Sequence, residues 1–244
     1  MSKLSIVGIG PGDYDNMTVR ADRVLRECDT IIGYTVYVDL VKERYPGKEF
    51  RSTPMTREVD RCRMALDAAR EGKRVAMVCS GDSGIYGMAA LIYELRGESA
   101  QPAVEVVPGL TAACSGAALL GAPLTHDFAV ISLSDRLTPW EKIEARLEAA
   151  AAADLSVVLY NPASKGRPDY LKRACEILLR TLPADRPCGI AQHIGREGEN
   201  ARILSLGQMK DDTQADMFST VFIGNSQTYV IGGKLVTPRG YRDV

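Results

Sequence analysis

Over residues 1–120 the chain alternates short continuous apolar runs with longer stretches whose apolar positions recur at helical spacing. The run at 4–7 reads as a buried strand, and those at 30–32, 74–78 and 104–107 read as further short strands. Each is followed by a loop containing glycine: Gly8 to Asp13, Gly33-Tyr34, Ser80 to Gly84, and Pro108-Gly109. Helices are predicted between them. The first follows Thr18, a suitable N-cap, with Val24, Leu25 and Cys28 on one face. Others are predicted at about 36–45, 57–71, 86–95 and 111–120, with Gly72 as the stop after the 57–71 segment. This repeated strand–loop–helix order predicts an α/β lobe with a mostly parallel sheet.

Gly121-Ala122-Pro123-Leu124 reads as a linker, so an N-terminal lobe is expected at 1–121 and a C-terminal lobe at 122–244. In the second lobe, strands are predicted at 128–132, 156–160, 188–193, 201–205, 219–223 and 229–236. A helix at 139–152 has proline in its first turn, and one at 169–182 has Asp169 as its cap. The close spacing of the last strands predicts a mixed sheet with antiparallel parts.

Composition narrows the class. Hydrophobic residues make up 45% and charged residues 25% of the 244, enough for an ordinary globular core. A net charge of −1 and a pI near 6.2 argue against a nucleic-acid partner. No apolar run approaches the roughly 20 residues that span a bilayer, and Met1-Ser2-Lys3-Leu4 leads straight into a strand rather than a signal peptide. A cytoplasmic protein without a membrane partner is expected. The six cysteines form no C-x-x-C pair and lie in or beside apolar segments, which predicts reduced, mostly buried thiols. His126 and His193 are the only histidines, and no metal site is expected.

Three of the loops hold the candidate chemistry. Gly8-Ile9-Gly10-Pro11-Gly12-Asp13 departs from the dinucleotide fingerprint: Asp13 stands at the third glycine position and Pro11 removes an N–H that a phosphate would use. Asp29 precedes the second strand instead of closing it, so a nicotinamide or flavin dinucleotide is disfavoured. The loop suits a backbone approach to an uncharged or zwitterionic ligand. In Ser80-Gly81-Asp82-Ser83-Gly84-Ile85-Tyr86-Gly87, Asp82 could accept from an ammonium or a ribose; alternatively Asp82 or Ser83 caps the next helix. In Pro108-Gly109-Leu110-Thr111-Ala112, Thr111 either caps its helix or offers a hydroxyl to the same ligand. All three follow strands of one parallel sheet, on the edge where such folds bind ligands.

The ordered strings GIGPGD, SGDSGIYGMA, PGLTAACSGAALLGAPLTHDF, SLSDRLTPW, LYNPASKGR, VFIGNS and TPRGY run from Ser5 to Tyr241. Taken together they resemble the tetrapyrrole (corrin/porphyrin) methylase family. Within it they are most similar to the enzymes that methylate carbon-17 of precorrin-3B or cobalt-precorrin-3 and contract the ring, on the way to cobalamin. The resemblance implies the two-lobed class III methyltransferase fold. It also implies S-adenosyl-L-methionine in the cleft between lobes, S-adenosyl-L-homocysteine as product, and a homodimer. Carried over by position, Pro11 faces the active site, and Gly81, Asp82, Ile85 and Tyr86 form a donor-binding segment. Thr111 and Ala112, then Tyr160 and Asn161, then Ala191 and Thr220, supply further donor contacts.

Ring contraction needs proton transfer. Candidate carriers are His126, Asp127 and Asp135, with Ser132 and Ser134 as hydrogen-bond donors; His193 is expected to be structural. The carboxylate arms of a tetrapyrrole call for cations, and Arg57, Arg136, Lys165, Arg167 and Arg239 stand in loops or near element ends. Tyr34 and Tyr37 are the aromatic candidates for the substrate. Three alternatives remain. A sister enzyme acting at another corrin carbon is disfavoured by SLSDRLTPW and TPRGY. An RNA methyltransferase of the same fold is disfavoured by the acidic pI. A non-catalytic tetrapyrrole-binding module would be expected to lose the donor loops.

Overall fold

Strand β1 (Lys3–Gly8) is an interior strand of the first sheet. It is the run of apolar residues nearest the N-terminus, and a computed structural model describes residues 3–164 and 166–242 around it. Strands β2 (Thr30–Tyr34), β3 (Glu49–Thr53), β4 (Arg74–Cys79) and β5 (Ala103–Val107) complete the order β3-β2-β4-β1-β5. Every pairing in it is parallel, so all five C-terminal ends share one edge. Alternate side chains of β1 serve two cores. Leu4 and Ile6 pack with α3 (Glu58–Arg70) and α4 (Ala89–Arg96). Val7 packs with α1 (Val19–Glu27) and α2 (Thr35–Asp39).

The Thr18 cap is present: its hydroxyl accepts from the Ala21 N–H at 3.1 Å. Two expectations change. The helix predicted at 36–45 ends at Asp39, because beyond it the main chain closes i to i+3 turns, as in Val41 N–H to the Val38 carbonyl at 3.1 Å. Strand β3 had no sequence signal. It is an edge strand with one large apolar residue, Phe50, among Glu49, Arg51, Ser52 and Thr53.

Carboxylates tie this unit together. Lys73, Arg51 and Thr30 hold the Glu49 carboxyl at about 2. Asp29 is held at about 2 by Arg74. Burial pushes Glu105 up, but Lys3, Arg20 and Ser5 outweigh it and bring it to about 2. Unfolded, these groups titrate near 3.9 to 4.3. The unfolded chain therefore takes up protons first as pH falls. The stabilisation is complete above about pH 5 and is lost between about pH 4.5 and 2. The melting temperature is expected to be nearly level from neutrality to about pH 5 and to drop below it, with a shallower drop in Glu105→Gln. Calorimetry across that range checks this; a level acid limb would contradict it.

The chain divides into two units at Thr111 and Ala112, ahead of the expected boundary after Gly121. The cause is helix α5 (Ala112–Leu120), which belongs to the second sheet. A Cβ on its Gly116 would lie 2.8 Å from the Phe222 ring, and one on Gly189 would lie 2.6 Å from Leu120, so glycine at both lets helix and sheet close up. The supposed linker is also structured. Gly121-Ala122 is strand β6, paired in parallel with a later strand.

The second unit has a mixed sheet built from β7 (Phe128–Ser132), β8 (Ser156–Tyr160), β9 (Pro187–Gln192), β10 (Asn200–Ser205) and β11 (Ser219–Ile223), in the order β10-β9-β11-β8-β7. Only β7 and β8 run parallel. Helix α5 covers one face; α6 (Trp140–Ala152), α7 (Tyr170–Leu178) and α8 (Leu206–Lys210) cover the other. Asp169 occupies the N-cap of α7, but its side chain makes no cap bond, and the helix ends at Leu178. The short α8 opens in a capping box in which the Ser205 hydroxyl accepts from the Gln208 N–H at 3.2 Å. The strand predicted at 229–236 is a hairpin, β12 (Tyr229–Ile231) and β13 (Lys234–Val236), and β13 is the partner of β6. Cys28, Cys62, Cys79, Cys175 and Cys188 are buried free thiols, whereas Cys114 is exposed. Among the described residues no helix is long and apolar enough to cross a membrane.

Candidate functional site

In the first unit the loops after β4, β1 and β5 lie side by side at the C-terminal edge. They stack backbone on backbone. Gly10 and Gly81 exchange two hydrogen bonds, of 3.1 Å and 2.7 Å. A Cβ on Gly8 would come within 2.6 Å of the Gly109 nitrogen, and one on Gly109 within 2.1 Å of the Gly81 carbonyl. These glycines therefore serve first to let three loops touch. Asp82 clasps two of them. Its Oδ1 accepts from the N–H groups of Gly84 (2.7 Å) and Ile85 (3.0 Å), and its Oδ2 accepts from the Gly109 N–H at 2.9 Å. Three of a carboxylate's roughly four lone-pair positions are thus used inside the protein.

Asp82 caps the turn at Gly84 and Ile85, not helix α4, which starts only at Ala89. Ser83 donates instead to the Val107 carbonyl at 2.9 Å. Pro11 and Thr111 are buried, while Ile85 and Tyr86 present exposed apolar side chains, Tyr86 on a left-handed backbone with φ 54°. No lysine or arginine occurs at 8–13, 80–88 or 108–111.

In the second unit, strand register assembles most of the remaining candidates. Ser132 pairs with Tyr160, and Thr220 with Ala191. Because Val221 faces Leu159 on the antiparallel neighbour, Thr220 falls beside Tyr160 and the four form one row across the sheet. The N-terminus of α5 meets this row: the Ala113 N–H donates to the Tyr160 hydroxyl at 2.7 Å, with Ala112 just before it. Asn161, at φ 55°, donates to the Ser132 hydroxyl at 2.9 Å. Asp135 takes a hydrogen bond from Tyr170 and pairs with Arg167 at 3.1 Å; Tyr170 first, then Arg167, hold its carboxyl below the usual range. Arg167 also donates to Ser134 at 2.9 Å.

The chain as a whole matches a known family. The family model for tetrapyrrole (corrin/porphyrin) methylases covers residues 3–210. The chain belongs to the tetrapyrrole methylase family. A probable cobalt-factor III C(17)-methyltransferase of Salmonella typhimurium is 45% identical over 98% of this chain and 99% of the relative. A cobalt-factor III methyltransferase of Priestia megaterium is 43% identical over 98% of this chain, which spans 45% of that relative's length. The crystal structure of the methyltransferase CobJ superposes with a TM-score of 0.90 at 36% identity, over 98% of this chain and 100% of that one.

Not every expected site residue of the methylase joins these groups. His126 and Asp127 precede β7, whereas Ser132 ends it, so the strand separates them by roughly 15–20 Å. The segment before His126, expected to be a linker, is partly paired as β6, and His126 stands at the opposite end of β7 from Ser132. The His126 Nε2 is sealed from solvent and has no partner among the described residues. His126→Ala is expected to leave kcat within about threefold, where removal of a general acid or base costs about a hundredfold or more. A hundredfold loss of kcat at unchanged donor affinity would restore it to the reaction.

His193, at φ 50°, lies 3.0 Å from Asp216 through its Nε2. Of the expected carboxylate binders, Arg57 is exposed and paired with Asp60. Arg136 and Arg239 are exposed, and Lys165 lies outside the described residues. Tyr34 and Tyr37 form an edge-on pair with ring centres 5.1 Å apart. Sequence inspection passed over Arg61, a buried cation beside Tyr34; its one signal was helical spacing from the buried Ala65 and Ala69.

Proposed function

We propose that this methylase transfers a methyl group from S-adenosyl-L-methionine to carbon-17 of a trimethylated corrin precursor, with ring contraction, and releases S-adenosyl-L-homocysteine. The observation that carries the donor assignment is the stack of loops around Gly8, Gly81 and Gly109. It offers main chain at close quarters, has no basic side chain for a phosphate, and carries a carboxylate that a phosphate would repel. A zwitterionic sulfonium nucleoside fits such a site. The substrate assignment rests on the full-length likeness to cobalt-factor III enzymes, and it favours the cobalt-containing precursor over precorrin-3B.

The donor, when bound, supplies a methyl group activated by a positive sulfur. Ile85 and Tyr86 provide apolar cover of the kind an adenine needs. Asp82 keeps the loops at fixed spacing, and Tyr160 fixes the start of α5 beside Ala112. An electron-rich ring carbon needs no covalent intermediate with the enzyme, so positioning supplies most of the acceleration. Asp135 is a carboxylate at neutral pH, and its task is to orient Arg167 rather than to move a proton. On the family resemblance the methylase acts as a cytoplasmic homodimer, without nucleic acid or membrane.

Parallel incubations with the cobalt-containing and metal-free trimethylated precursors, followed by mass spectrometry and absorbance, test this assignment. Gain of one methyl and a changed chromophore, faster on the cobalt form, is the expected result. Methylation at another carbon would make the protein a sister enzyme.

A further inference from the structure

Arg61 lies in the first turn of α3 and is only 5% exposed, yet it forms no ion pair among the described residues. Its hydrogen bonds go to neutral acceptors: Nε donates to the Thr53 hydroxyl at 3.0 Å and Nη2 to the Pro54 carbonyl at 3.1 Å. Among the described residues Nη1 has no acceptor, and it is not among the polar atoms sealed from solvent, so it keeps some contact with solvent. A guanidinium held largely out of water without an anion is costly, and buried arginines are ordinarily paired.

Its position is equally specific. Thr53 ends β3 and Tyr34 ends β2, so Arg61 sits at the C-terminal edge of the parallel sheet, next along from the β4 loop that carries Asp82. The Tyr34 ring lies 5.8 Å from the guanidinium, with Tyr37 edge-on to it. A preorganised cation thus opens beside an aromatic pair, at the end of the sheet where ligands bind. The glycine loops occupy the β4, β1 and β5 ends, which leaves the β2 and β3 ends for the second reactant.

We infer that Arg61 binds a carboxylate arm of the tetrapyrrole substrate through Nη1, with Tyr34 and Tyr37 against the ring system. This rests on the proposed methyl transfer to a corrin precursor. Arg61→Met keeps a flexible, unbranched apolar stem but removes the guanidinium and its charge; Arg61→Lys keeps the charge and loses the planar fork. Steady-state kinetics with the trimethylated cobalt precursor, calorimetry with S-adenosyl-L-homocysteine, and melting of the free protein are measured for each variant. The expected result is a KM raised about tenfold or more in Arg61→Met, with a smaller rise in Arg61→Lys. The kcat changes far less, and the donor-product affinity stays within about twofold.

An unchanged KM with a lowered melting temperature would make Arg61 a brace for the β3–α3 turn and overturn the inference. Weakened S-adenosyl-L-homocysteine binding with an unchanged KM would give the carboxylate to the donor, and would overturn it too. If Arg61→Met does not fold, the Arg61→Lys KM decides alone. Failure of the wild-type protein to methylate any tetrapyrrole would instead remove the proposed function, and this inference with it.

Discussion

Asp82→Ala is expected to weaken S-adenosyl-L-homocysteine binding about a hundredfold and to lower the melting temperature of the ligand-free protein by several degrees. Both follow from what the carboxylate holds. It accepts three main-chain N–H bonds, two within its own loop and one from Gly109 on the neighbouring loop. Bonds to a charged acceptor contribute about 1.5–3 kcal/mol each, and water recovers only part of that when the acceptor is removed. A hundredfold change in affinity is about 2.7 kcal/mol. Asp82→Asn is informative because an amide has one acceptor oxygen. It can serve either the Gly84–Ile85 side or Gly109, and its NH2 then opposes an N–H on the other side. Asparagine should therefore recover less than half of the loss. Weakened binding without any change in melting would mean that Asp82 touches the ligand and does not brace the loops. No change in either would dismiss the clasp.

Gly109→Ala should abolish detectable donor binding. The added Cβ would stand 2.1 Å from the Gly81 carbonyl oxygen and 2.6 Å from the Gly8 carbonyl carbon. Both obstacles are backbone, so no rotamer change relieves the contact, and the loops must separate. Overpacking of this kind costs about 1–3 kcal/mol, which a domain survives while a site built to fractions of an ångström does not. Gly8→Ala should behave alike, since its Cβ would meet Gly109 and Gly81 from the other side. Calorimetric titration of either variant, with circular dichroism to confirm folding, is the check. Affinity like that of the parent would show that the stack is not what shapes the site.

Much of the fold was legible because β1, β2 and β4 are largely apolar, buried runs, while the edge strand β5 showed as valines around Glu105. Strand β3 was not, since an edge strand needs little apolar surface. The domain boundary was misplaced for a related reason. AACSGAALL is apolar on every side, and nothing local says which sheet it covers; its partners Phe222 and Leu235 lie about a hundred residues further on. The three loops were visible as glycine-rich strand ends, but the use of glycine to bring loop against loop was not. Register explains why Ser132, Tyr160, Ala191 and Thr220 meet although they are scattered in sequence. The linker reading of Gly121–Leu124 failed because a two-residue strand, β6, carries almost no pattern.

The most direct test of the account is one incubation of the purified protein with the trimethylated cobalt precursor and S-adenosyl-L-methionine bearing an isotope-labelled methyl group, analysed by mass spectrometry and nuclear magnetic resonance. The account predicts transfer of a single labelled methyl, located on carbon-17 of a ring-contracted product. Label that stays on the donor, although calorimetry shows the donor bound and the tetrapyrrole is present, would contradict it.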